Sequence, residues 1–228
     1  GKAIAVELAK NGASIVLNGR NEQRLQETEQ IIRSIHSNVI SVCCDVSDVQ
    51  ASEALIETAI QQFGRLDILV NNVGVSMRGT VAELNPDVFK KVFESNVYGS
   101  VNPTIPAIPH LRKTKGSILF ISSLAGIRGL PGLSAYCSSK MALRAVAESI
   151  RLEEKHNGIH VGLIQVGITE IEHNKETIAA DGSMKTLKSR DKSNVQTTEQ
   201  VAIATLKNIR NRKFITTLTG IGKVNKFM

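Results

Sequence analysis

The chain has 228 residues and a hydrophobic content of 42%, which suit one domain with a sizeable core. Its net charge is +7. Aromatic residues make up only 4% and Trp is absent, which argues against the stacking surfaces of single-stranded nucleic-acid binders. The basic residues are scattered among acidic ones and form no run of five or six like charges. We therefore expect no nucleic-acid partner.

The cysteine pattern points to a reducing compartment. Cys43, Cys44 and Cys137 are odd in number, and the first two are adjacent within an apolar stretch, which argues against a disulfide framework. No spacing of Cys or His suggests a metal site, no apolar run is long enough to cross a membrane, and no signal peptide is visible. These features predict a cytoplasmic protein. Because the chain opens at Gly1 without an initiator Met, we also expect an upstream extension, so membrane association through an anchor there stays open.

Helical and strand periodicities alternate along the whole chain. In the first half, helices are predicted at 2–11, 22–35 and 48–63, and strands at 14–17, 39–44 and 68–70. In the second half, residues 86–113 are helical in part, helices follow at 134–154 and 198–211, and strands are predicted at 118–121, 159–165 and 214–218. The strands are short and apolar on both faces, as in a parallel sheet covered by helices on both sides. The sequence predicts a single α/β domain over 1–228 with a doubly wound, Rossmann-like parallel sheet.

One long stretch lacks any periodicity. Residues 167–195 are polar and too long for an ordinary connection, which predicts a lid over a substrate site. A disordered insertion is the alternative.

Polar and glycine residues follow directly after the predicted strands. Ligands of a doubly wound sheet bind at the carboxyl ends of its strands, so these are the candidate binding residues. They are Gly19 and Arg20, Asp45, the run 71–74, Ser122 and Ser123, and Val166 and Gly167.

A tyrosine and a lysine lie four residues apart on the helix after strand 118–121. Tyr136 and Lys140 therefore share one helix face. A free phenol has a pKa of about 10, and we expect the neighbouring ammonium to lower the pKa of Tyr136 by favouring the phenolate. Ser123, at the end of the strand, can direct its hydroxyl to the same place. Together they indicate proton transfer to or from a carbonyl or alcohol oxygen, although the spacing alone would also suit an exposed lysine beside a half-buried tyrosine.

The combination of motifs resembles the short-chain dehydrogenase/reductase family over nearly the whole chain, in particular its branch of hydroxysteroid dehydrogenases and 3-ketosphinganine reductases. The residues that carry the resemblance are Asn71-Asn72-Val73-Gly74, Asn96, Ser123, Tyr136 and Lys140. The resemblance implies that Tyr136 is the general acid/base and that Lys140 lowers its pKa and binds the nicotinamide ribose. It further implies that Ser123 holds the substrate oxygen and that Asn96 helps to hold a water linking Lys140 to solvent.

The resemblance also implies a set of cofactor-binding residues. Asp45 would meet the adenine, while Gly167 and Thr169 would contact the nicotinamide end. The full set is Gly1, Arg20, Asp45, Asn72, Gly74, Tyr136, Lys140, Gly167 and Thr169. The implied reaction is hydride transfer between NAD(P) and a small-molecule carbonyl or alcohol, for which the protein supplies position and a proton.

The end of the second family strand bears on the choice of cofactor. An NAD site usually carries Asp or Glu there to bind the ribose 2′-hydroxyl. This chain has Asn18-Gly19-Arg20 instead, and Arg20 can pair with a 2′-phosphate. We therefore expect NADP(H) to be preferred, with NAD(H) possible. The alternative is that Arg20 only caps a surface turn.

Several features depart from the family pattern. Of its glycine-rich phosphate loop only the last glycine, Gly1, is present, and the central first strand is missing with the loop. Val73 and Val166 replace the usual Ala and Pro. Three prolines, Pro103, Pro106 and Pro109, fall in a helix that usually builds the interface of the family's dimers and tetramers. We expect that helix to be kinked, because proline inside a helix costs about 3 kcal/mol.

Two other functions remain open at this point. The missing loop and the prolines would suit a non-catalytic nucleotide-binding or scaffolding relative. The hypothesis of a basic nucleic-acid-binding protein is supported by the net charge alone. Substrate specificity is expected in residues 75–82, 124–133 and 167–195, whose patterns leave steroid-like, long-chain 3-oxo and small carbonyl compounds open.

Overall fold

The computed structural model describes residues 1–170, 176–187 and 195–218. The α-helices in these residues are α1 (Lys2–Lys10), α2 (Glu22–Arg33), α3 (Val49–Phe63), α4 (Pro86–Phe93), α5 (Gly99–Thr114), α6 (Ser134–Glu153) and α7 (Thr198–Asn211). The strands are β1 (Ile15–Gly19), β2 (Val39–Cys43), β3 (Ile68–Asn71), β4 (Met77–Arg78), β5 (Ser117–Ser123), β6 (His160–Val166), β7 (Glu176–Ala179), β8 (Met184–Thr186) and β9 (Ile215–Thr217).

Side-chain caps fix where several helices begin. The Asn21 side chain accepts a hydrogen bond from the backbone of Arg24 at the start of α2, and Asp48 does the same for α3. Thr197 and Gln200 form a reciprocal capping box at the start of α7. Each such cap stabilises its helix by about 1 kcal/mol. Because the caps fix the first turn, the helix starts could be predicted to within a residue or two.

The parallel strands form two separate sheets. One contains β3-β5-β6-β9 in that order and the other contains β1-β2. The first is covered by α5 and α6, which bury Ala107, Leu111 and Leu143 against Phe120 and Leu163 of the strands. The second packs with α1, α2 and α7 into its own cluster. This arrangement is the α/β, Rossmann-like architecture that the sequence predicted.

A cleft of about 1120 Å³ lies between the two sheets. It is lined by the whole of β1 on one side and by β3 on the other, with α1 at its side. Within the described residues, β1 pairs with β2 alone and β3 with β5 alone, so each strand leaves its cleft-facing edge unpaired. The sheet is therefore interrupted between β1 and β3. This is the position of the central strand that the family resemblance implies and that the sequence lacks.

The stretch 167–195 is more regular than the sequence indicated. Its central part, 176–187, contains β7 and β8, which pair antiparallel, and β7 pairs with β4 in parallel. These strands have four residues or fewer, too short for an alternation that could be detected in the sequence. Residues 171–175 and 188–194 of the predicted lid lie outside the described residues.

Helix α5 runs through all three of its prolines. Residues 99–114 form one α-helix, preceded by a π-helical turn at Glu94–Tyr98, so region 86–113 is helical throughout rather than in part. The cost of the prolines is offset by packing, because Pro103, Ala107 and Leu111 are buried along one side of the helix. The irregularity lies at the π-helical turn, just before the prolines.

The described residues contain no helix long and apolar enough to span a bilayer. They also contain no cluster of three or more His, Cys, Asp or Glu side chains that could hold a metal ion. All three cysteines are free thiols: Cys43 is exposed, Cys44 half-buried and Cys137 buried.

Buried His160 should make the fold sensitive to acid. Its ring nitrogens lie 3.2 Å from Ser117 Oγ and 3.0 Å from the carbonyl oxygen of Lys213. Burial lowers the pKa of His160 below the usual 6.5, so the unfolded chain takes up the proton first. The free energy of unfolding should then be unaffected by this group above about pH 7 and should fall as the pH drops below 6.5.

Urea unfolding at pH 7.5 and pH 5.5 tests this expectation. His160→Gln should shrink the loss of stability between the two pH values, whatever its effect on stability at pH 7.5. The exposed His156→Gln is the matched control and should leave the loss unchanged. An identical pH dependence in the wild type and in His160→Gln would contradict the assignment.

Candidate active site

The end of β5 and the first turns of α6 hold the predicted proton-transfer residues. Lys140 is only 5% exposed, and its Nζ donates to the carbonyl oxygen of Ile121 at 3.1 Å. The same nitrogen lies 5.9 Å from the ring centroid of Tyr136. A buried ammonium needs such partners, because desolvation without them is costly. The structure thus brings the amine and the phenol ring together as predicted.

Ser123 ends β5, two residues beyond the carbonyl that Lys140 contacts. Its Oγ accepts a hydrogen bond from the backbone N–H of Ala125 at 3.2 Å, which orients the side chain at the start of a short 3₁₀ turn. The hydroxyl hydrogen stays available to donate elsewhere. Ser123, Tyr136 and Lys140 therefore all belong to the junction between β5 and α6.

Asn96 is completely buried in the π-helical turn before α5. Its Oδ1 accepts from the backbone N–H of Val75 at 2.7 Å, and its Nδ2 donates to the Val75 carbonyl and to Ser139 Oγ, the latter at 2.8 Å. The amide thus ties the segment after β3 to the helix that carries Lys140. The π-helical turn re-aims this side chain inward, as such turns often do at functional sites.

Gly74 allows these groups to meet. A Cβ atom on Gly74 would lie 3.0 Å from Asn96 Oδ1 and 3.2 Å from Lys140 Nζ, closer than such contacts normally come. The predicted cofactor residue therefore lies directly beside the lysine. Its neighbour Asn72 is exposed, with its side-chain nitrogen 3.1 Å from the corresponding Cβ position on Gly1.

Arg20 and Asp45 meet at the carboxyl ends of β1 and β2. Arg20 Nη1 donates to Asp45 Oδ2 at 3.2 Å, while the other carboxylate oxygen accepts from the backbone N–H and hydroxyl of Ser47. These hydrogen bonds, led by the one from the Ser47 backbone, lower the pKa of Asp45 below 3.8. Both side chains are well exposed, at 62% and 46%. The guanidinium is thus held at the sheet edge and remains open to a ligand.

Gly167 and Thr169 lie in the turn after β6. The Thr169 hydroxyl donates to the Gly167 carbonyl at 3.4 Å, and Gln196 Oε1 accepts from the Gly167 N–H at 3.2 Å. Gln196 also binds the backbone of Ile168 and donates to the Leu218 carbonyl. Gln196 carries no signal in the sequence, because it lies next to the unpatterned stretch and belongs to no motif.

Three of the segments expected to recognise substrate come together beside Tyr136. The hydroxyls of Ser76 and Thr177 are 2.9 Å apart, and the Gly79 N–H donates to the Gly132 carbonyl at 3.1 Å. Met77 of β4 and Ile178 of β7 pack in one apolar cluster against which the half-buried Tyr136 rests. The β7–β8 hairpin is therefore anchored next to the tyrosine.

Comparison with known proteins finds relatives over most of the chain. A family model described as short chain dehydrogenase matches residues 1–182. The chain is 39% identical over 167 residues to "3-dehydrosphinganine reductase" of Danio rerio, covering 71% of this chain and 50% of that protein. It is 36% identical over 176 residues to "11-beta-hydroxysteroid dehydrogenase 1A" of Arabidopsis thaliana, covering 75% and 50%. It thus spans about half the length of these relatives.

Solved structures match a larger share of both chains than these relatives do. A short chain dehydrogenase/reductase from Burkholderia phymatum, in complex with NAD, superposes with a TM-score of 0.86 over 99% of this chain and 87% of that one, at 22% identity. An alcohol dehydrogenase from Thermococcus sibiricus, complexed with 5-hydroxy-NADP, gives 0.81 over 95% and 89%, at 21% identity. At such identities the likeness concerns the fold alone.

Proposed function

Because this chain belongs to the short-chain dehydrogenase/reductase family, we propose that it transfers a hydride between NADP(H) and a carbonyl/secondary alcohol pair, with Tyr136 as general acid/base. The observation that carries the proposal is the buried ammonium of Lys140, which lies 5.9 Å from the Tyr136 ring at the end of β5. A structural lysine on α6 would gain more by reaching solvent, since burying an ammonium is unfavourable.

In the reducing direction, Tyr136 donates its phenolic proton to the oxygen of the substrate carbonyl. Lys140 favours the phenolate left behind, because a nearby positive charge lowers the free energy of the anion. Ser123 donates a hydrogen bond to the same substrate oxygen and so fixes its distance from the phenol. Asn96 acts behind them by holding Val75 and Ser139 in place. When bound, a reduced nicotinamide would supply the hydride for this reduction.

Residues at the carboxyl ends of the strands could bind both ends of a dinucleotide. Arg20 would bind the 2′-phosphate, with Asp45 near the adenine and Asn72 along the cofactor. Gly167 and Thr169 would bind the nicotinamide end, where Gly74 leaves the space beside Lys140. NADP(H) is favoured over NAD(H) because the end of β1 carries Arg20 and no carboxylate.

We also propose that, in the catalytically active protein, a further parallel strand fills the cleft between β1 and β3. The edges of these two strands that face the cleft are unpaired within the described residues, and backbone N–H and C=O groups need hydrogen-bond partners, which supports the proposal. A strand running parallel to β3 would end at the edge where Gly1 lies beside Asn72, so it could continue directly into α1.

A designed extension tests the strand. The chain carrying a five-residue Val/Ile strand and a Gly/Ser turn ahead of Gly1 should show a thermal midpoint several degrees higher than the chain alone, because the new strand pairs on two sides. The same extension with Pro at the middle of the strand is the matched control and should give little increase. Equal midpoints for the two extensions would refute the strand.

The substrate is proposed to enter between β4, the loop 124–133 and the β7–β8 hairpin. The whole segment 167–195 is proposed to act as a lid within the single domain 1–228. Relatives named as a 3-dehydrosphinganine reductase and an 11-beta-hydroxysteroid dehydrogenase favour an extended apolar ketone.

We further propose a homodimer or tetramer in the cytoplasm. Tyr98, just before α5, and Ile105, within it, are both exposed and leave apolar surface uncovered, which supports association through this helix.

A turnover assay separates this function from a non-catalytic nucleotide-binding or scaffolding role. NADPH absorbance followed with a panel of long-chain 3-oxo, steroid and small ketones should decrease with at least one of them. NADPH binding without turnover of any ketone or of the matching alcohols with NADP would favour the non-catalytic alternative.

A further inference from the structure

Three short segments of the chain carry an excess of positive charge. Residues 112–116, 151–160 and 210–213 contain eight of the 28 Lys and Arg residues but only two of the 21 Asp and Glu residues. The net charge of these segments together is +6. No single segment is basic enough to stand out in the sequence.

The fold brings these segments together at one edge of the four-stranded sheet. They precede β5, β6 and β9, whose amino ends are neighbours because the strands are adjacent and parallel. Arg212 donates to the carbonyl oxygens of Lys115 at 3.1 Å and of Gly158 at 2.5 Å, which joins the three loops directly. We call this surface the basic edge. It lies at the end of the sheet opposite to Ser123.

The charges of the basic edge are largely unneutralised. One of its two carboxylates, Glu154, is buried and bound by Arg112 at 2.6 and 2.8 Å, which leaves Glu153 as the other. Lys113, Lys155 and Lys213 are exposed. The remaining cations are Lys115, Arg151, Arg210 and Arg212, and within the described residues none of these seven forms an ion pair.

We propose that the basic edge binds the surface of an anionic lipid bilayer. Clustered Lys and Arg side chains are attracted to the negative headgroup layer, each contributing severalfold to binding. Leu152, 69% exposed beside Arg151, supplies an apolar side chain that can enter the headgroup region. The three segments contain no exposed Phe, Tyr or Trp ring for base stacking, since Phe214, just before β9, is half-buried under Arg151, so a lipid surface fits better than RNA.

This binding would leave the candidate active site open. The carboxyl ends of the strands, where Tyr136 and the cofactor residues lie, face away from the bound surface. Lipid binding by the basic edge does not depend on the enzyme activity.

Co-sedimentation with vesicles tests the proposal. The protein should pellet with vesicles of phosphatidylcholine containing 30% phosphatidylserine at low salt, but not with pure phosphatidylcholine. Binding should fall steeply between 0.05 M and 0.5 M NaCl because salt screens the attraction. Lys155→Glu/Lys213→Glu should weaken it more than tenfold.

Lys90→Glu/Lys91→Glu on α4 is the matched control: it makes the same charge change on another surface and should bind as the wild type does. Thermal midpoints of both variants show that each is folded. Equal weakening by the two double variants, or equal binding to neutral and anionic vesicles, would overturn the proposal. So would binding of a single-stranded RNA that needs Lys155 and Lys213 while anionic vesicles are ignored.

Discussion

Replacing Tyr136 by phenylalanine is expected to lower kcat for ketone reduction by about 10²- to 10⁴-fold, the usual contribution of a general acid. The substitution removes only the hydroxyl. The ring should keep its contacts with the cluster around Met77 and Ile178 and its place beside the Lys140 ammonium. The loss should therefore appear in kcat, with NADPH affinity changed by no more than a few fold.

The chain provides its own control, since it has only one other tyrosine. Tyr98 is 54% exposed at the start of α5, and Tyr98→Phe should leave kcat within about twofold of the wild type. Turnover by Tyr136→Phe at the rate of Tyr98→Phe would rule out the proton-transfer role of Tyr136 and the mechanism with it.

The second large effect is expected at Arg20. Arg20→Asp should lower the ratio of kcat/KM for NADPH to that for NADH by about 10²-fold or more. The substitution removes a charge-assisted contact to the 2′-phosphate, worth about 1.5–3 kcal/mol, and places a carboxylate where it repels the phosphate but can bind a ribose hydroxyl. The guanidinium is anchored by Asp45 at 3.2 Å, so little ordering is needed on binding.

Two further variants isolate the cause. Asp45→Asn should keep the preference for NADPH, because Arg20 remains and a nearby negative charge is lost. Lys10→Asp, at the far end of α1, makes the same charge change as Arg20→Asp and should leave the ratio unchanged. Equal use of both cofactors by the wild type would contradict the role of Arg20.

Local signals made most of the architecture predictable. Caps such as Asn21 and Asp48 mark helix starts, and apolar runs such as 118–121 mark strands buried on both faces. The features that the sequence did not predict depend on tertiary contacts. The sequence predicts only partial helix over 86–113, whereas α5 is continuous through its three prolines, with Ala107 and Leu111 buried. The kink expected at those prolines stays a prediction. Strands β4, β7 and β8 exist only because they pair with one another, and segments so short have no period of their own.

The candidate site divides in the same way. Tyr136 and Lys140 were predictable because four residues on a helix fix their geometry, and Ser123 because it ends a buried strand. Gln196 holds the turn after β6 through contacts with residues far away in sequence, which no spacing reveals. The basic edge escaped detection because three separate loops, each only moderately charged, contribute to it.

In the part of the chain that the structure describes, β1 and β3 each have one unpaired edge, which has a practical consequence in solution. Each offers a row of backbone amide and carbonyl groups that an extended segment from another molecule could pair with, and such edges favour aggregation and domain swapping. Self-association of this kind grows with concentration, so dilute preparations should preserve monodisperse protein better than concentrated ones.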